Sequence, residues 1–167
     1  MAKGNSRGNS SDTVGTTTIT GSGQDDRLFG TEGLDNINAR SGNDYLNGGA
    51  GNDTLTGGGG ADQFVFKNGG GHDVVTDFTK GEDIFFNFGY VTNNPGDPVH
   101  DGTPHNLSIG EQFATSEGHT LTIGEDPSGS ITLTWDTGDS LTLQGVHAAD
   151  FSSSSLSFYT ADLGAQL

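Results

Sequence analysis

The chain of 167 residues contains no cysteine, which excludes both a disulfide framework and a thiolate metal site. Basic side chains are scarce, because 6 Lys and Arg face 22 Asp and Glu for a formal net charge of −16. Phosphate binding requires Lys and Arg, so this balance argues against nucleic acid as a partner. No run approaches the roughly 20 apolar residues of a membrane span. Residues 1–11 lack the apolar core of a cleavable secretory signal and are predicted to be disordered.

Apolar residues are also few. They make up 29% of the chain, against about 45–50% in an ordinary soluble domain. The 29 glycines add a large backbone entropy cost to folding. Composition alone therefore predicts disorder, unless something offsets the charge repulsion and the thin core. The excess of carboxylates points to bound cations as that compensation.

What the chain does have is a repeat of nine residues, seen most clearly in GGAGNDTLT at 48–56. Five nonapeptides covering residues 21–65 follow one another without a gap. Their sixth positions are Asp26, Asp35, Asp44, Asp53 and Asp62, and their eighth positions are Leu28, Ile37, Leu46, Leu55 and Phe64. Looser copies are 12–20, 68–76 with Asp73 and Val75, and 78–86 with Asp83 and Phe85. The register is too strict for a flexible linker.

Each position of the repeat suits one structural task. Positions seven to nine form a short strand whose middle side chain, at position eight, points inward. Positions one to six form a turn in which glycine supplies the positive φ values of a tight reversal. Two nonapeptides complete one coil, so stacked coils form two short parallel sheets around a thin apolar core. The turns accumulate along the two edges with one Asp in each.

The aligned aspartates predict ion sites between turns of the same edge, one coil apart. The pairs are Asp26/Asp44, Asp44/Asp62, Asp35/Asp53, Asp53/Asp73 and Asp62/Asp83. Alternate backbone carbonyls of the turns would complete each cage, and the candidate donors are Gly30, Glu32, Gly48, Ala50, Asn52, Gly57, Gly59 and Ala61. An all-oxygen cage of about six ligands suits Ca²⁺ better than Mg²⁺, which keeps its waters. We expect several ions, roughly three to five.

GGAGNDTLT and GGGGADQFV match G-G-x-G-x-D-x-U-x at every specified position, and this pattern resembles the calcium-binding repeat of RTX proteins. HDVVTDFTKGEDIFF at 72–86 is similar to sequences where such arrays end. The resemblance implies an all-β fold, a right-handed parallel β-roll with Ca²⁺ between its turns. It also implies that the protein functions outside the cell, after type I secretion from a Gram-negative bacterium. Ala39, Arg40 and Gln24 depart from the pattern.

Beyond residue 86 the pattern changes to ordinary alternating β-strands. HTLTIG (119–124), SITLTW (130–135) and SLTLQGV (140–146) are separated by turn-rich segments and predict a three-stranded antiparallel meander. Its predicted buried face is Leu121, Ile123, Ile131, Leu133, Trp135, Leu141 and Leu143. FSSSSLSFYT (151–160) adds further apolar residues, and 93–106 is a predicted loop. We expect residues 12–86 to form the roll, and 87–167 to cap its open end and carry the type I secretion signal.

Other chemistries fit the sequence less well. The GGGG run is followed by no Lys-Ser or Lys-Thr, which argues against a phosphate loop. Five histidines are not spaced as a zinc site, and His100 and His105 are the pair that merits a test. Asp77, Glu82 and Asp83 favour ion ligation or a solvated turn over paired catalytic carboxylates. Because no nucleophile is accompanied by a base, we expect no catalytic activity.

The sequence therefore predicts a non-catalytic, secreted calcium-binding protein that folds on binding Ca²⁺ outside the cell. Its partners would be calcium ions and the type I secretion machinery. The alternative is a C-terminal module of a larger secreted enzyme of the protease, lipase or alginate epimerase type. Met1 and the end at Leu167 favour the first interpretation. A third possibility is that the C-terminal β region binds cell-surface polysaccharide through Trp135.

Overall fold

The computed structural model describes residues 15–79, 81–87, 91–92, 109–110, 112–115 and 118–147. The secondary structure of these residues is all-β. The first eight strands are β1 (Thr17–Thr20), β2 (Arg27–Phe29), β3 (Asp35–Asn38), β4 (Tyr45–Asn47), β5 (Thr54–Thr56), β6 (Gln63–Lys67), β7 (His72–Val75) and β8 (Asp83–Asn87). The others are β9 (Val91–Thr92), β10 (Gln112–Thr115), β11 (Thr120–Glu125), β12 (Ile131–Trp135) and β13 (Ser140–Leu143). The predicted disordered N-terminus, the 93–106 loop and the 151–160 segment lie outside the described residues.

The first eight strands alternate between two parallel sheets, which confirms the predicted roll of nonapeptides. The odd-numbered strands lie in the order β1-β3-β5-β7, and the even-numbered strands in the order β2-β4-β6-β8. Ile19 is paired with Ile37, and Leu28 with Leu46, so strands of one sheet are one coil apart along the chain. Each coil therefore contains two nonapeptides, one strand for each sheet.

The predicted eighth-position residues form the core between the sheets. Leu28, Ile37, Leu46, Leu55 and Phe64 are all buried. Their neighbours along β2 to β5 are exposed or half-buried, whereas Val65 beside Phe64 in β6 is also buried. From β1 to β5 the core is only one apolar side chain per strand wide, as expected from the low apolar content, and β6 and β8 add Phe66 and Phe86 to it. At about 25 cal/mol per Å² of apolar surface, a core this thin contributes little against the entropy of so many glycines.

The last two coils are longer, and one predicted register is wrong. Leu55 is paired with Val75, and Phe64 with Ile84, so both pairs are separated by 20 residues in sequence instead of 18. The predicted assignment of Phe85 to the core position is therefore incorrect, because Ile84 is the buried residue in line with Phe64. β6 and β8 pair over five residues, and this continuous ladder fixes the alternation of their side chains.

The predicted antiparallel meander is confirmed as β11-β12-β13, and β10 and β9 extend it. All seven residues predicted for its buried face are buried, including Trp135. β13 pairs in parallel with β7, so the cap continues the edge of one roll sheet. The centroid of the Trp135 ring also lies 5.1 Å from that of the Phe86 ring in β8. Among the described residues, no helix is long and apolar enough to cross a bilayer.

Candidate metal centre

The turns of the roll form two stacks, one along each edge. The first stack contains turns 21–26, 39–44 and 57–62, and the second contains turns 30–35, 48–53 and 68–73. In both stacks the carboxylate Oδ1 of each Asp after the first accepts a hydrogen bond from the backbone N–H of the Asp one coil earlier. The donor–acceptor distances are 2.7 Å for Asp26 to Asp44, and 2.9 Å for Asp44 to Asp62, Asp35 to Asp53 and Asp53 to Asp73. Four of the five predicted aspartate pairs are thereby in direct contact.

The second carboxylate oxygen of three repeat aspartates has no hydrogen-bond partner. Asp44, Asp53 and Asp62 are each 1% exposed, and the Oδ2 atom of each is buried without a donor. A buried carboxylate oxygen without a donor or a cation is costly, because it has lost its water. These orphaned oxygens fit a hard cation such as Ca²⁺, which prefers carboxylate and carbonyl oxygens.

The first Asp-bearing turn of each stack is different, because its Asp is satisfied within the turn. Asp26 Oδ2 accepts hydrogen bonds from Ser22 N (2.6 Å) and Ser22 Oγ (2.9 Å). Asp35 Oδ2 accepts from Thr31 N (2.5 Å) and Thr31 Oγ1 (3.0 Å). Ser and Thr stand at the second position of these repeats, where the later repeats have residues with positive φ, namely Arg40, Gly49 and Gly58. This difference was visible in the sequence as a change of residue type, but its consequence was missed.

Burial of the aspartates raises their pKa values. Desolvation is the largest cause, and it raises the pKa of Asp44 and Asp53 from 3.8 to about 6 and that of Asp73 to about 7. The hydrogen bond from the preceding Asp opposes the shift, and repulsion between neighbouring carboxylates adds to it. The pKa of Asp62 is raised for the same first reason. Ionised carboxylates are thus unfavourable here unless a cation compensates them.

The backbones of stacked turns approach so closely that several positions admit only glycine. A Cβ atom at Gly49 would collide with the carbonyl oxygen of Thr31, and one at Gly58 with that of Arg40. Carbonyls at second positions therefore point along the stack towards the next turn. In the opposite direction, the Gly48 carbonyl oxygen lies against Gly30. Oxygens from both turns thus face the space between them, which is the arrangement that an ion shared by two turns requires.

The predicted carbonyl donors all lie in these turns, and their ligand role stays a prediction. Several backbone N–H groups and one side chain of these residues already form hydrogen bonds within the stacks. Gly30 N donates to Asn47 O, Ala50 N to Thr31 O and Gly59 N to Arg40 O. The side-chain oxygen of Asn52 accepts from His72 N, and Ala61 N donates to Asn43. Glu32 is exposed, and Gly48 and Gly57 lie beside the carboxylates of Asp53 and Asp62.

At the end of the first stack, the structure aligns Glu82 instead of Asp83 with the repeated aspartates. Asp83 is paired with Gln63, the residue after Asp62, so its predicted sixth position is wrong by one residue. Glu82 is buried, and its Oε2 accepts a hydrogen bond of 2.6 Å from Thr79 N. Burial, followed by repulsion from Asp62 and Asp77, raises the pKa of Glu82 to about 7. Whether Asp83 binds an ion stays a prediction.

Side chains alone do not build a metal site in the part of the chain that the structure describes. No group of three or more His, Asp or Glu side chains converges there. The described histidines have separate partners: His72 contacts Ser140, His119 contacts Asp136, and His147 contacts the Gly129 carbonyl. His100 and His105 lie outside the described residues. Any ion held by the turns must therefore rely on backbone carbonyls as well as carboxylates.

Comparisons with known proteins agree with this geometry. The chain matches the family model of the RTX calcium-binding nonapeptide repeat (4 copies) over residues 12–46, 29–64 and 38–75. The fold is similar to the solution structure of the AlgE6R3 subunit from the Azotobacter vinelandii mannuronan C5-epimerase, with a TM-score of 0.50 and 24% identity. That match covers 91% of this chain and 82% of the other. No curated protein matches the chain with significant sequence similarity. Residues 12–75 are therefore an array of RTX calcium-binding nonapeptide repeats.

Proposed function

We propose that the array is a calcium-dependent folding unit of a secreted protein and has no catalytic activity of its own. The observation that carries this proposal is the set of three buried carboxylates with an unpartnered oxygen, on Asp44, Asp53 and Asp62. Asp44 and Asp53 lie in the middle turn of each stack, and Asp62 lies in the turn that packs against that of Asp44. A domain gains nothing from burying such oxygens unless a ligand uses them.

The folding switch follows from the charge and the core of the array. Carboxylates one coil apart repel each other, and desolvation adds to the cost of folding the ionised chain. The core is too thin to overcome both terms. Bound Ca²⁺ would neutralise neighbouring carboxylates and join two turns, so that binding energy becomes folding energy. The chain supplies the ligands, and the glycines allow the turns to stack closely enough to share them.

Circular dichroism tests this proposal. The chain is treated with EDTA, and Ca²⁺ is then added in steps, with Mg²⁺ added to a parallel sample as the control. We expect β-structure of the array to appear with Ca²⁺ and not with equal Mg²⁺, since Mg²⁺ keeps its waters. A β spectrum that is already complete in EDTA and does not change with Ca²⁺ would refute the folding switch.

We also propose that the protein works outside the cell and is exported by a type I secretion system, which would be its second partner besides calcium. The resemblance of the repeats to RTX proteins supports this proposal. Where Ca²⁺ is scarce, inside the cell, the acidic chain would stay unfolded and could be exported. It would then bind Ca²⁺ and fold outside. Co-expression with a type I exporter, with and without residues 148–167, provides the test. Equal export of both chains would place the signal elsewhere.

A second candidate function is that of a repeat module in a larger secreted enzyme, of the alginate epimerase, protease or lipase type. The observation in its favour is the similarity to the AlgE6R3 subunit, which extends through the cap as well as the array. Such a module could bind the polysaccharide on which its enzyme acts. Trp135 is 4% exposed and packs against Phe86, so it does not offer a platform for sugar stacking. Calorimetric titration with polymannuronate, and with dextran as a neutral control, would test for binding.

A further inference from the structure

The last glycine-rich turn of the first stack is closed by a side chain. In earlier coils, the N–H of the first residue of a repeat donates to a strand carbonyl of the next coil. These bonds are Gly21 to Asn38 (2.8 Å), Gly30 to Asn47 (2.8 Å) and Ala39 to Thr56 (2.9 Å). At Gly57 the acceptor is instead the carboxylate of Asp77, at 3.0 Å from Oδ1. Its other oxygen accepts from Gly58 N at 2.8 Å, so both oxygens are used.

The second stack ends in the same way, with a carboxylate supplied by the cap. Asp139 Oδ2 accepts from Gly69 N at 2.9 Å, and its Oδ1 accepts from Gly71 N at 3.0 Å. Thr137 Oγ1 donates a further bond of 2.8 Å to the same carboxylate. Partial burial opposes ionisation, but these bonds hold the pKa of Asp139 below its usual value. The next residue in register with Asp73 is Leu141, so the ladder of aspartates stops here.

Asp77 and Asp139, which are not at the sixth position of any repeat, thus form the same kind of contact at the ends of the two stacks. Each turns two carboxylate oxygens towards two backbone N–H groups of a glycine-rich turn. Hydrogen bonds to a charged acceptor are about twice as strong as bonds between neutral groups. At the opposite end, Ser22 and Thr31 satisfy the first aspartate of each stack by hydrogen bonds. The stacks are therefore closed at both ends by protein groups.

We propose that Asp77 and Asp139 are terminal caps, whose carboxylates bind backbone N–H groups of the last glycine-rich turn of each stack so that no ion is needed beyond that turn. The second part of the proposal rests on the proposed calcium binding. With Ser22 and Thr31, the caps confine the ions to the spaces between the turns of each stack. The oxygens left for ions in those turns are Oδ2 of Asp44, Asp53 and Asp62.

The test compares Asp139→Asn with Asp126→Asn in the Ca²⁺-saturated protein. Asparagine is isosteric, but it replaces one acceptor oxygen by an NH₂ group facing an N–H donor. Asp126 is the matched control, because the hydrogen bonds described for its carboxylate all lie within its own turn, at residues 128–130. We expect amide exchange of Gly69 and Gly71 to become about tenfold faster in Asp139→Asn and unchanged in the control. The number of Ca²⁺ ions bound, measured by calorimetry, should be the same in both.

Two results would overturn the proposal. Loss of one bound Ca²⁺ in Asp139→Asn would make this carboxylate a ligand, and unchanged exchange at Gly69 and Gly71 would remove its role as a cap. If Asp139→Asn does not fold, Thr137→Val removes one bond to the same carboxylate and must show faster exchange at the same glycines. A wild-type protein that binds no Ca²⁺ would refute the proposed function and the confinement of ions. The exchange comparison would still decide whether the caps exist.

Discussion

In the metal-free chain, acidification should partly replace calcium as the agent that favours the folded array. The pKa of Asp53 rises from its ordinary value of 3.8 to about 6 in the fold. The folded chain therefore binds a proton on this carboxylate more tightly than the unfolded chain does. Stability from this group therefore increases as the pH falls through the folded pKa, and is lost as the pH rises. When the pH is lowered from about 8 to about 5, protonation of Asp53 should raise the free energy of unfolding by about 1.4 kcal/mol. Asp73, with a folded pKa of about 7, contributes about 2.6 kcal/mol.

The assay is far-ultraviolet circular dichroism in EDTA at the two pH values, with urea added to compare stabilities. We expect more β-structure, or a higher urea midpoint, at the lower pH. Asp73→Asn should show a smaller dependence on pH, because it removes the group with the larger shift. Neighbouring carboxylates interact, so the two contributions will not add fully. A metal-free chain that is less structured at the lower pH would refute the assigned shifts and the reasoning from desolvation.

Three further predictions concern single substitutions. Asp53→Ala should weaken Ca²⁺ binding more than Asp26→Ala, because Asp53 forms hydrogen bonds with the turns on both sides, whereas the Asp26 carboxylate is held by its own turn. Calorimetry measures both losses of affinity. Equal losses would contradict the sharing of ions between turns. Leu55→Ala should lower the free energy of unfolding in Ca²⁺ by about 2–5 kcal/mol, as seen for buried leucines, and urea denaturation measures it. Gly58→Ala should destabilise the Ca²⁺ form by about 1–3 kcal/mol, because its φ is +95° and a Cβ would meet the previous turn. Gly59→Ala is the control, since its Cβ would meet nothing within 4 Å, and equal effects would count against close stacking.

The array could be predicted from sequence because its information is local and repeated. Each nonapeptide gives the same alternation of glycine turn, aspartate and apolar residue, and two of them fix the length of a coil. Leu28, Ile37 and Leu46 therefore occupy the predicted core positions. The meander was predicted for a similar reason, since its strands alternate in polarity and are separated by turn residues. Local patterns of this kind carry both element type and buried face.

What could not be predicted depends on contacts between distant residues. The two extra residues before β7 were located correctly by the repeat, but residue 77 was left as a gap that the fold does not have, so Asp83 and Phe85 were placed one residue out of register. The pairing of β13 with β7 joins residues that are almost 70 positions apart, as does the bond from Gly69 to Asp139. Nothing in the sequence around either member identifies its partner. The capping role of Asp77 was hidden likewise, because one acidic residue among 22 carries no distinctive signal.

The central claim is that Ca²⁺ orders the turns of the array. Two-dimensional NMR of the backbone amides, recorded with EDTA and with saturating Ca²⁺ at neutral pH, tests it most directly. The amides of Gly49, Gly51 and Gly58 should give the narrow shifts of an unfolded chain in EDTA. With Ca²⁺ they should disperse and become protected from exchange, because their turns are then stacked. Dispersed and protected amides in EDTA, with no change on adding Ca²⁺, would contradict the account.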